Sequence, residues 1–94
     1  MQYCVYTKWR HPNGVPVGES FIEFLAPLLP SETADVEHLY FWKIDSNHHG
    51  ALTLYPSKEY YDNYIKGLQT ARAAFVKIWV TLVESNEGPL LGNI

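Results

Sequence analysis

Ninety-four residues with a net charge of −3 make one domain, and a chain of this size buries only a little over ~60% of its unfolded surface, so its core is thin. Lys8 and Arg10 are the nearest approach to a basic cluster, which argues against nucleic-acid binding through phosphate neutralisation. There is no charged-then-apolar leader and no run of about 18 apolar residues, so secretion and membrane spanning are disfavoured. The single cysteine, Cys4, allows no internal disulfide and fits a reducing cytoplasm. Aromatic residues reach 15% while charged ones stop at 18%, a balance that suits a chain hiding surface in a partner or around a ligand.

Residues Gln2 to Arg10 alternate and predict a first strand, with Tyr3, Val5, Thr7 and Trp9 on one face and Cys4, Tyr6, Lys8 and Arg10 on the other. His11-Pro12-Asn13-Gly14 ends it, because proline removes a donor and Asn-Gly favours a turn. Ser20-Phe21-Ile22-Glu23 has capping-box spacing. Phe21, Phe24 or Leu25, and Leu28 recur at helical intervals behind it, with a kink or stop expected at Pro27. Ser31 to Asp35 is a polar connection.

Val36 to Ile44 predicts a second strand in which neither face is plainly polar. Val36, His38, Tyr40, Trp42 and Ile44 share one side, and Glu37, Leu39, Phe41 and Lys43 the other. Asp45 to Gly50 is dense in turn formers, and Ala51 to Tyr55 completes a hairpin. Ser57 predicts the N-cap of a second helix, with Glu59 and Asp62 near its positive end. Tyr61, Tyr64 or Ile65, Leu68, Ala71 or Arg72, and Phe75 follow one face of that helix, which Gly67 weakens by about 1 kcal/mol relative to alanine. Val76 to Val83 predicts a fourth strand, apolar on both faces. The tail, 84–94, carries Leu90, Leu91 and Ile94 and is expected to dock on a partner subunit.

The order β–α–β, β–α–β is the split βαβ or ferredoxin-like arrangement, an α+β fold in which two helices cover one face of a four-stranded antiparallel sheet. Too few charges lie on the strands to wet the other face, so sheet-to-sheet homodimerisation is expected. In element order, in length and in the two-sided strands Val36–Ile44 and Val76–Val83, the chain resembles the dimeric α+β barrel superfamily over roughly Tyr3 to Val83. That group includes cofactor-independent antibiotic-biosynthesis-type monooxygenases, muconolactone-isomerase-like proteins and haem-degrading enzymes. The resemblance implies a ferredoxin-like domain forming a dimeric α/β barrel, with a hydrophobic cavity between sheet and helices. The haem-degrading members place a functional histidine on the second helix; Lys58 to Phe75 has none, so that activity is not carried over.

Candidate chemistry centres on His38, Tyr40 and Trp42. A neutral imidazole at His38 would move a proton, Tyr40 would hold a phenol, quinone or enolate oxygen, and Trp42 would offer a flat apolar wall. This reading requires the row to face the helices; facing another sheet, the same side chains are dimer contacts. Tyr61, Tyr64 and Arg72 are candidate substrate-binding residues, against the ordinary alternatives of sheet packing for the tyrosines and a surface ion pair for the arginine. His48 and His49 with Asp45 and Asn47 superficially resemble metal ligands, but no second ligand pair accompanies them, and a solvated hairpin tip is the expectation. His11 reads as a loop residue and Cys4 as a small buried hydrophobe.

No phosphate loop, no carboxylate pair and no Ser-His-Asp set occurs, and no cofactor or metal is implied. Three functions follow. The first is a cofactor-independent monooxygenase or isomerase acting on an aromatic or enol-type small molecule. The alternatives are a non-catalytic ligand-binding or regulatory module, and a purely structural dimer.

Overall fold

The computed structural model describes residues 2–16, 18–25 and 38–92, with the side chains at 25, 66–68, 70–72 and 74–77 outside that description. The element order is β1 (Tyr3–Arg10), α1 (Glu19–Leu25), β2 (His38–Asp45), β3 (His48–Tyr55), α2 (Lys58–Lys77) and β4 (Thr81–Pro89). The strands form one open antiparallel sheet in the order β2-β3-β1-β4, so the fold is α+β. Among the described residues no helix is long and apolar enough to cross a membrane.

The alternation of β1 decides which side the helices cover. Tyr3, Val5, Thr7 and Trp9 are buried, whereas Cys4, Tyr6 and Lys8 are half-buried and Arg10 is exposed. Tyr3 and Val5 pack with Tyr55 of β3 and with Tyr61 and Tyr64 of α2. Trp9 packs with Phe21 of α1 and with Val80, flanked by Phe24, Phe41 and Leu82. Both helices therefore lie on one face of the sheet, each over its own cluster. Within the α2 cluster the rings meet at offset angles, Tyr55 lying 5.0 Å from Tyr61 and 5.6 Å from Tyr64. Burying each such ring contributes roughly 1.5–3 kcal/mol, so tyrosines supply much of what a thin core needs. The polar tips on this face are met locally. Trp9 Nε1 donates to Thr7 Oγ1 at 2.9 Å, and the Tyr3 hydroxyl donates to Glu87 at 3.1 Å.

Helix boundaries follow local chemistry. Ser57 caps α2, its hydroxyl accepting from the Tyr60 amide at 3.1 Å, as expected. Ser20 is not a cap: α1 already begins at Glu19, behind Gly18 in the left-handed region at φ 61°, and the Phe21 amide donates to the Gly18 carbonyl. Pro27 and Leu28, Val36 and Glu37, and the side chains of Leu68, Ala71, Arg72 and Phe75 lie outside the described residues.

The fourth strand differs from expectation. Val76 and Lys77 close α2, so the helix runs on past the strand preference of a β-branched residue. Trp79 at φ 66° then reverses the chain. β4 runs from Thr81 to Pro89, so residues expected as a docking tail instead form an edge strand against β1. Its sequence, TLVESNEGP, has little strand preference of its own. Pairing with β1 makes it a strand, and its charges and terminal proline suit an edge.

On the face away from the helices, Trp42 lies flat across Gly50 of β3 and stacks on Tyr6 of β1 at 6.0 Å. A Cβ placed on Gly50 would fall 2.5 Å from Trp42 Cε2, closer than any real contact. Gly50→Ala should therefore destabilise the fold by about 1–3 kcal/mol, as overpacked sites do. In a Trp42→Ala background the same change should be neutral or stabilising, an interaction that urea midpoints of the double-mutant cycle would reveal.

Candidate functional site

A two-residue turn, Ser46-Asn47, joins β2 to β3, and the register shifts between Lys43 and Asp45 so that Ile44 has no opposite residue. This register sets His49 opposite both Trp9 and Lys43, on the helix-covered face, with Phe41 two places along β2 on the same side. His48, one residue earlier, points to the other face and pairs with Asp45 at 2.7 Å. The two adjacent histidines thus have separate fates, and among the described residues no group of three metal-ligating side chains forms.

His49 is the buried one, 2% exposed, and its Nδ1 meets Nε2 of His11 at 2.6 Å. His11 is 3% exposed and sits just beyond β1, where two bonds hold it to the hairpin tip. Its amide donates to the Asn47 carbonyl, and its carbonyl accepts from Asn47 Nδ2 at 2.8 Å. His11 is a loop residue as expected, though a buried one, whereas His49 is a buried strand residue and not part of a solvated hairpin tip. Aromatic rings surround the pair: Trp9 is stacked on His49 at 6.5 Å, Phe21 stands edge-on at 5.0 Å, and Phe24 is tilted against His11 at 5.6 Å.

Burial among these rings pushes the His49 pKa down to about 4, with the facing His11 adding to the effect. Burial likewise lowers His11, with the nearby His48 contributing. At neutral pH both imidazoles are uncharged and share one proton across the short bond. The ring nitrogen of His49 away from that bond is Nε2, and His49 lines a cavity of about 480 Å3. The cavity lies between α1 and β2, walled by Val15, Phe21, Ile22, Phe41, Lys43 and His49. That volume suits a small molecule.

The expected site residues are distributed differently. His38, Tyr40 and Trp42 lie on the sheet face away from the helices, opposite Leu54, Leu52 and Gly50. His38 stacks on Tyr40 at 5.8 Å there, and Tyr40 and Trp42 are 53% and 43% exposed. Because β2 is an edge strand, atoms of Tyr40 and Trp42 still border the cavity, though their rings belong to the open face. His38 is not among the lining residues. Tyr61 and Tyr64 are core residues of the α2 cluster, and Arg72 sits on α2 with its side chain outside the described residues. The sequence did carry one signal for His49: strand alternation extended back from Ala51 places it with Ala51 and Tyr55, on the buried face.

A buried neutral histidine makes stability depend on pH in a definite direction. The unfolded chain takes up a proton near pH 6.5, and folded His49 resists it down to about 4. Stability is thus complete above the upper value and falls as pH drops through that window. Asp45, held below the ordinary carboxylate range by the His48 ring and the Asn47 amide, adds a loss only at lower pH. Urea midpoints measured from pH 7 to 4 should decline, and His49→Gln should flatten most of that decline. No family model matches this chain, and neither a curated protein nor a solved structure matches it.

Proposed function

We propose that the chain binds a small aromatic or enol-type molecule in the cavity between α1 and the β2–β3 hairpin, and acts on it as a cofactor-independent isomerase or monooxygenase. One observation carries this reading: His49, neutral and buried, lines an aromatic cavity while His11 holds its other ring nitrogen. An imidazole of such low basicity is a poor general base at neutral pH. It is well suited to hydrogen-bond a carbonyl or enolate oxygen, and a donor held in place by its neighbours stabilises negative charge developing there. Phe21 and Phe41 supply the apolar walls for a flat ring. His49 thereby takes the oxygen-holding role expected of Tyr40, not the proton transfer expected of His38, with Tyr40 and Trp42 bordering the site through β2.

We further propose a ferredoxin-like domain that pairs with a second copy through its open face. The strand order, with both helices on one side, supports the first part. The exposed row of Tyr40, Trp42 and Ile44, beside Tyr6, Leu52 and Leu54, supports the second, because an uncovered aromatic sheet face favours burial against a like surface. Light scattering at micromolar concentration should give twice the chain mass, and Tyr40→Lys with Ile44→Lys should reduce it to one.

Activity can be tested with 2-tetralone, a flat ketone of suitable size whose α-protons exchange through an enolate. The chain should accelerate their exchange with deuterated water, solvent taking the α-proton and returning a deuteron while His49 donates to the enolate oxygen. His49→Phe, which keeps a ring but removes the donor, should lower that acceleration by about a hundredfold, with circular dichroism confirming the fold. Binding of 2-tetralone without faster exchange would favour a non-catalytic ligand-binding module. No binding at all would sink the cavity as the site.

A further inference from the structure

The charge around the cavity names its ligand more narrowly. Among the described residues its lining contains one cationic side chain, Lys43, and no carboxylate. Lys43 stands directly opposite His49 in the β2–β3 register, on the same face. Side chains so opposed rise from Cβ atoms about 4.5–5.5 Å apart, so the exposed lysine and the buried imidazole start from the same point of the wall. Among the described residues Lys43 makes no ion pair; the nearest acidic residue along its strand, Asp45, is engaged by His48. Glu19 and Glu23 of α1 are exposed and do not line the cavity.

Resting on the cavity as the binding site, we infer that its ligand is a monoanion with a flat apolar body, whose carboxylate, phenolate or enolate oxygen is held between the Lys43 ammonium and Nε2 of His49. An anion accepts hydrogen bonds, so His49 presents Nε2–H to it. The Nδ1 of His49 then accepts from Nε2–H of His11, and His11 becomes the positioning residue that fixes this tautomer. The neutral pair thus gives a fixed donor, and the lysine gives the charge. A substrate that arrives already ionised also needs no general base, in keeping with a cavity whose lining, among the described residues, holds neither a carboxylate nor a basic imidazole.

Three probes of one shape separate the possibilities: 2-naphthoate, 2-naphthol and 2-naphthylmethylammonium, with affinities from calorimetry and placement from shifts of the His49 ring resonances. The anion should bind about tenfold more tightly than the neutral probe at low salt, and the cation most weakly. Lys43→Met should bring naphthoate down to the affinity of naphthol and leave naphthol unchanged, while Lys43→Arg should retain the preference. With naphthoate bound, 15N spectra should show His49 protonated at Nε2 and bare at Nδ1. Equal affinities, a preference for the cation, or a bare Nε2 in the complex would overturn this inference while leaving the cavity as a binding site. Failure of all three probes to perturb His49 would remove the site itself.

Discussion

Strict two-residue alternation along β1 is the constraint from which the rest follows. β1 is hydrogen-bonded to β3 on one side and β4 on the other, so its buried face dictates the facing of both neighbours. Because Trp9 must be buried, its partner His49 is carried to the same side; because His49 is there, Lys43 follows across the next ladder. A slip of one residue between β1 and β3 would expose His49 and send Gly50 beneath the helices. The cavity chemistry is therefore secured by apolar residues that take no part in it. Tyr3 and Val5 set the register at one end of the sheet, and the imidazole pair benefits at the other.

The two faces of the sheet divide the aromatic content between different tasks. On the helix side, rings enclose: Phe21, Phe24, Phe41 and Trp9 surround two histidines and keep both neutral. On the other side rings lie in pairs at the surface, Tyr6 with Trp42 and His38 with Tyr40. Trp42 closes over Gly50, replacing the side chain that glycine lacks and protecting a weak point of the central sheet. An imidazole among rings is held neutral on one face and is an exposed stacking surface on the other.

Much of this was legible from residue spacing. The alternation of Tyr3 to Arg10 gave both faces of β1 correctly, and the row His38, Tyr40, Trp42 does share a face. Which face the helices would choose was not legible, because Leu39 and Phe41 are as apolar as their neighbours and only tertiary packing separates them. His11 and His49 read as loop and hairpin-tip residues, and their pairing was not legible because 38 residues separate them and each stands in a run of turn formers. Their burial depends on the hairpin turning at Ser46-Asn47, so that β3 starts at His48, three residues before Ala51. β4 was misplaced because Glu84 to Pro89 has no strand character apart from the partner that templates it. Local preference is weakest where the ladder contributes most.

The bonds between the loop after β1 and the hairpin tip have a dynamic consequence. His11 and Val15 donate their amides to the carbonyls of Asn47 and Ser46, and Asn47 Nδ2 returns a bond to the His11 carbonyl. One side of this seam carries the cavity wall at Val15 and Pro16 and the positioning imidazole; the other continues into His49. Wall and imidazole pair are therefore tied to one set of hydrogen bonds, so loss of the seam would remove support from both. A ligand that needs both parts would draw the whole unit closed, so its binding energy is shared with local order of the chain at the end of the sheet where the histidines lie.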